Sequence, residues 1–241
     1  MTPPQATAET KASLPRLSGG LLWVYRALWC TLAVAALAVF AWSFLHPAMQ
    51  SAIFAIRLVK GLVVLAVSAI LLRRRHRDRV AALLSLAFLT WAITSSFDFA
   101  AADMVPQLLD RARFLLFVFA LLLFPDGAWQ PSWNRKVAIA SAAVFLLGIA
   151  ETLLAAPSHL FLPLAIACVL AAIASLVSRF RNAASEALRQ QLKWVALGLI
   201  SGVSLILCAR AGAAVVPMPV LWEAMFQLGI ILIALGFLVF P

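Results

Sequence analysis

Charge is scarce in this chain. Asp, Glu, Lys and Arg make up 12% of its 241 residues, whereas soluble domains carry about 25%. A single water-facing core is excluded by that deficit. Cysteine is scarce too: Cys30, Cys168 and Cys208 stand isolated in apolar segments. Without paired or metal-ligand spacing they imply neither a disulfide framework nor a zinc site, and they read as small apolar packing residues. Histidine is limited to His46, His76 and His159, which share no metal spacing with one another or with acids. No Ser-His-Asp set, nucleotide-binding Gly-rich loop or pair of catalytic carboxylates is recognisable. The sequence therefore supports no catalytic residue, no metal and no cofactor. The net charge of +10 comes from basic residues spread through short runs, not gathered on one surface, which argues against a nucleic-acid partner.

What is abundant is apolar length. Hydrophobic residues make up 65% of the chain. A membrane span needs about 20 predominantly apolar residues to cross a hydrocarbon core of roughly 30 Å. The chain divides into a polar, Pro- and Ala-rich tail at 1–20, with too little apolar surface to fold alone, and a helical membrane domain at 21–241. The run after Gly20 is too long for the core of a signal peptide, about 7–15 residues. The expected class is all-α: a polytopic transmembrane bundle of about eight spans. They fall at 22–45, 52–72, 80–101, 106–124, 136–154, 160–177, 192–211 and 220–240. The second span reaches full length only by taking Arg57 and Lys60 into the membrane. The fourth is short, and Asp110, Arg111 and Arg113 lie near its start.

The loops carry an orientation signal. Lys11 and Arg16, the Arg73–Arg79 run, Arg135 with Lys136, and Arg179, Arg181, Arg189 and Lys193 all fall on one side of an eight-span arrangement. The positive-inside bias makes that side cytoplasmic, with both termini on it. Trp23, Trp133 and Trp194 then sit near the inner interface and Trp42 and Trp222 near the outer one, as an aromatic belt requires.

Most intramembrane charges fall in the outer halves of the spans, and the inner halves are almost purely apolar. Arg57, Lys60, Asp98, Glu151, Arg210 and Glu223 are the candidate ligand-binding residues. A charge at the bilayer centre costs at least about 2.5–3.5 kcal/mol and usually faces a bundle interior or wet cavity. Two readings stay open: a ligand pocket open to the outside, or ion pairs and snorkelling groups that hold helices together. Gly198 and Gly202 form a G-x-x-x-G, which permits close helix approach, either within the bundle or across a homodimer.

Two inner loops complete the pattern. One is Phe124-Pro125-Asp126-Gly127, followed by Trp129 and Trp133; the other is Arg189-Gln190-Gln191-Leu192-Lys193-Trp194. Pro125-Asp126-Gly127 is turn chemistry that ends the fourth span. Ser185 is placed to cap a helix running through Glu186 and Arg189, with Lys193 and Trp194 as interfacial anchors. A span ending in F-P-D-G and a later R-Q-Q-x-K-W resemble the multi-span sensor region of bacterial histidine kinases of the quorum-sensing type. The resemblance implies an input module in the bacterial inner membrane. Its partners would be the lipid bilayer and a cytoplasmic signalling domain or protein beyond Pro241, where any kinase activity would reside. The expected function is sensing of a small extracellular or membrane-dissolved ligand. A small-solute transporter or channel subunit is the alternative, which a continuous polar path would favour.

Overall fold

Eight helices account for nearly all of the described residues. The computed structural model describes residues 17–45, 52–94, 104–125, 127–154, 160–182 and 185–238. The helices are α1 (Gly20–Leu45), α2 (Ala52–Arg75), α3 (Arg79–Thr94), α4 (Met104–Leu123), α5 (Asn134–Leu153), α6 (Phe161–Arg181), α7 (Glu186–Ala213) and α8 (Pro219–Leu238). No strand occurs among the described residues. Each helix coincides with one expected apolar segment. The expected continuations past Thr94 and Leu238, and the tail before Leu17, lie outside the described residues.

Six helices, all but α3 and α4, are long and apolar enough to cross a membrane, and their outward faces carry large apolar side chains such as Leu37, Ile139, Leu170 and Ile200. The chain is thus a multi-pass membrane protein. The other two helices differ for separate reasons. With 16 residues, α3 is about 24 Å long at 1.5 Å per residue. The 20-residue α4 carries Asp110, Arg111 and Arg113 in its first half.

The short α3 is the most enclosed element. Twelve of its residues are buried, as expected for a helix apolar on every side. It packs against α1, α2 and α4, while α2 also meets α8, and α4 meets α5 and α6. Successive helices alternate in direction, so the start of α2, the end of α3, the start of α4, the end of α7 and the start of α8 meet at one end. The basic residues at 73–79, 135–136, 179–181 and 189–193 gather at the opposite end.

Local chemistry sets several helix ends. Asp78 accepts a hydrogen bond from the Val80 N–H at 2.9 Å and so caps α3. Burial raises its carboxyl above the usual range, against the opposing influence of that N–H and of the Arg75 charge. Ser185 caps α7, accepting from the Leu188 N–H at 3.3 Å, as expected from the sequence. Pro219 opens α8 at a position where a missing N–H costs nothing.

The closest helix pair is α7 with α8, and glycine makes it so. A Cβ on Gly198 would lie 2.8 Å from the Gly236 Cα, and one on Gly229 would lie 2.6 Å from the Gly202 carbonyl oxygen. A Cβ on Gly202 would run into the Gly229 carbonyl oxygen. The G-x-x-x-G is therefore occupied inside the chain, as a seam between two backbones. Hydroxyl groups stitch the other side of the bundle. The Tyr25 and Ser85 hydroxyls lie 2.7 Å apart, Trp29 donates to Ser68 at 3.0 Å, and Ser68 donates to the Ser85 carbonyl at 2.7 Å. This uncharged network corrects the expectation that the basic-end half is almost purely apolar.

Gly202→Ala should force the α7–α8 backbones apart and cost about 1–3 kcal/mol, the range for overpacking a tight contact. Gly20→Ala, which meets open space, should leave thermal unfolding in detergent unchanged. Equal behaviour of the two variants would dismiss the seam as a stabilising contact.

Candidate functional site

A cleft of about 490 Å³ opens at the end of the bundle opposite the basic loops, between α2, α3, α4, α7 and α8. Most of its charges arrive on helix ends. Arg57 comes from the second turn of α2, Asp110 and Arg113 from α4, Arg210 from the last turn of α7 and Glu223 from the first turns of α8. Arg57 Nε donates to Glu223 Oε1 at 2.7 Å, each side chain about 20% exposed. Gln227, one turn along α8, donates to the same Oε1 at 2.7 Å. Arg113 pairs with Asp110 at 2.8 Å, donates to the Thr94 hydroxyl at 2.9 Å and lies 5.1 Å from the Trp91 ring centroid. Arg210 lies over Phe226, 4.6 Å from its centroid.

Lys60 sits beneath, one turn further along α2 than Arg57. It is fully buried and donates to the Trp91 carbonyl at 3.2 Å. The charges that act on it are those of Arg113, Arg57 and Glu223. Below this layer the path closes. Trp91 meets Phe117 edge-on, and Phe237 packs against Phe88, Phe117 and Phe124 with centroids 6.2, 6.0 and 5.8 Å away. Every one of these rings belongs to the main apolar core or packs against it.

Of the six sequence-predicted residues, Arg57, Arg210 and Glu223 meet in the cleft, and Lys60 supports it from below. Glu151 does not join them. It lies at the end of α5, and its charge acts on Arg111, whose guanidinium stacks on Phe161 at 3.7 Å. Depth alone placed Glu151 correctly along the bundle axis but not around it. Asp98 lies outside the described residues. Asp110 and Arg113, the charges near the start of the fourth span, also line the cleft, as do Trp91 and Gln227; none of the four is among the candidate ligand-binding residues. The one sequence cue for Gln227 is its spacing of four from Glu223, which puts both on one helix face.

The opposite end holds a second constellation. Arg179, in the last turns of α6, donates to the carbonyls of Leu122, Phe124, Ala128 and Gln130, at 2.7 Å for Leu122 and Ala128. Buried Asn134 donates to Leu122 and Gln130 at 3.1 and 2.6 Å. These carbonyls belong to the end of α4 and the turn after it, where a helix lacks intrahelical partners. Gly127 closes the turn with φ of 71° and its N–H bonded to Leu123 at 2.7 Å; Asp126 lies outside the described residues. Pro125, Arg179 and Leu188 line one small cavity, so the F-P-D-G turn and the start of α7 meet around Arg179. From the R-Q-Q-x-K-W segment, Leu192 is buried in the core, Arg189 pairs with Glu186 at 3.8 Å, and Gln190, Lys193 and Trp194 face outward while Gln191 is half-buried. By sequence Arg179 counted only as one of the orienting cations.

No family model, no curated protein and no solved structure matches the chain. Among the described residues no group of His, Cys, Asp and Glu could hold a metal ion.

A double-mutant cycle of Arg57→Met and Glu223→Met, read by thermal unfolding, should give a coupling of about 0.5–3 kcal/mol, each single variant being less stable than the double. Additive losses would mean that the pair contributes no mutual stabilisation. Arg179→Met should cost about 3 kcal/mol, the order of one or two charge-assisted hydrogen bonds. It should also raise amide exchange selectively at 124–131. Unchanged exchange there would make the clamp incidental.

Proposed function

We propose that the chain is the sensor or input module of a membrane signalling protein, spanning the bilayer eight times. Both termini and the basic loops would face the cytoplasm, with the cleft opening outward. The observation that carries this reading is the pairing of an open, charged cleft with an aromatic floor. A transport path needs polar lining through the bundle, whereas this cleft stops at Trp91 and the phenylalanines beneath it. Ligand energy spent in such a cleft can only shift helices, and it can do so only by binding two arrangements with different affinity. The positive-inside bias supports the orientation. The eight-span count rests on α3 and α4 crossing as buried members of the bundle, which their packing inside it supports. The likeness of the F-P-D-G and R-Q-Q-x-K-W loops to sensor kinases supports the signalling role. Here the F-P-D-G turn and Leu188, the residue before the R-Q-Q-x-K-W segment, adjoin at Arg179, where a movement of α6 against α7 would reach a cytoplasmic partner.

The test fills the cleft covalently. In a chain with Cys30, Cys168 and Cys208 replaced by Ala, Ala213→Cys places a thiol on the cleft wall for a bulky sulfonate reagent. Labelling in nanodiscs should alter amide exchange at 127–133 and 186–193, at the far end of the bundle. Full labelling without any change there would count against a sensor. Solute flux in proteoliposomes that labelling blocks would replace the sensor by a transporter.

A further inference from the structure

The cleft holds more positive than negative charge. Among its described residues Arg57, Arg113 and Arg210 line it, with Lys60 beneath, against Asp110 and Glu223. Both carboxylates are engaged: Glu223 by Arg57 and Gln227, and Asp110 by Arg113. Arg210 has no ion pair among the described residues; its guanidinium meets the face of Phe226. A cation on an aromatic face beside an open cavity keeps its in-plane N–H donors for another partner.

A second observation points the same way with a different chemistry. Gln227 is 3% exposed, lines the cleft and uses its amide N–H on Glu223. Its Oε1 is buried without a hydrogen-bond partner. A buried acceptor left unpaired costs about 1–3 kcal/mol, which a ligand donor would recover. The walls between these groups include Trp91, Trp222 and Phe226, flat apolar surfaces suited to a ring. The volume lies within the roughly 300–1,000 Å³ of small-molecule sites.

We infer that the cleft binds a small aromatic carboxylate that also carries a hydroxyl or N–H donor. The carboxylate is met by Arg210 at the rim, the donor reaches Gln227 Oε1 as the amide, buried in this arrangement, turns toward the cleft, and the ring lies against the indoles and Phe226. This inference names the ligand class for the sensor reading and rests on the same cleft. The ligand reaches the cleft from water; a lipid phosphate offers the same anionic chemistry without the donor or the ring.

Equilibrium binding of 4-hydroxybenzoate, benzoate, 4-hydroxybenzamide and tyramine to the purified chain in maltoside tests it. The hydroxy acid should bind at least about tenfold more tightly than its amide, a difference of about 1.4 kcal/mol, and tyramine should not compete. Arg210→Gln should remove the preference for acid over amide. Gln227→Leu should remove the preference for 4-hydroxybenzoate over benzoate while leaving the acid preference. Arg210 is exposed at the rim, so its variant keeps the fold; circular dichroism checks both variants. Binding of the amide or amine as tight as the acid, or no acid binding below about 1 mM, the weak end of specific affinity, overturns the proposal. Phosphatidylglycerol binding that none of the acids displaces would assign the site to a lipid headgroup and also overturn it. Failure here stays separate from failure of the sensor reading. Movement of the far-end segments by the amide or amine would keep the sensor and sink the acid; acid binding without movement would do the reverse.

Discussion

A guanidinium within a lipid-embedded bundle needs partners inside the protein, and the docking of the α7–α8 hairpin in this bundle follows where one such partner, a carboxylate, sits. Arg57 on α2 meets Glu223 on α8, 166 positions later. The α7–α8 hairpin therefore docks against the second helix, although α6 precedes it in sequence. Phe237 continues the attachment deeper, against rings from α3 and α4. Contact between α6 and α7 is sparse by comparison, and an apolar groove lies between residues 173–180 of α6 and 192–200 of α7. The sequence neighbour is loosely held, and the distant partner tightly.

Opposite ends of the bundle solve different electrostatic problems. At the cleft end, side-chain charges outnumber backbone needs, so arginines pair with carboxylates or lie on rings. At the basic end the problem is the carbonyl groups of the α4 end and the turn after it, and one arginine serves four of them. Arginine suits both tasks because its planar fork directs several donors at once. Between the two ends, apolar packing dominates, relieved by the hydroxyl network of α1, α2 and α3. Hydroxyls can satisfy one another there without the desolvation penalty of a buried ion.

Helix positions were legible because apolar run length is a one-dimensional signal and lipid enforces it over long stretches. Even the charged start of α2 was recoverable, since a shorter helix could not reach across. The site was legible only in depth. Counting residues along a span gives height, and height brought Arg57, Arg210 and Glu223 to one level. It could not say which way around the bundle Glu151 faces; packing of α5 on α4 and α6 decides that. Charge does not select Gln227 or Trp91, although each lines the cleft; a tryptophan in mid-span reads as a helix contact. Arg179 was read by its sign, when its geometry toward the α4 carbonyls is what distinguishes it. The G-x-x-x-G left two partners open, and only the positions of Gly229 and Gly236 choose between them.

The ion pair between α2 and α8 also fixes an order of events. Chains are made from the N-terminus at about 5–20 residues per second, so roughly eight to thirty seconds pass between the synthesis of Arg57 and that of Glu223. Throughout that interval α2 exists with two cations, Arg57 and Lys60, and without the carboxylate that will hold one of them. The growing protein must therefore keep this helix at the insertion machinery, or beside water, until the α7–α8 hairpin arrives. A helix made 166 positions later is the one that completes the second.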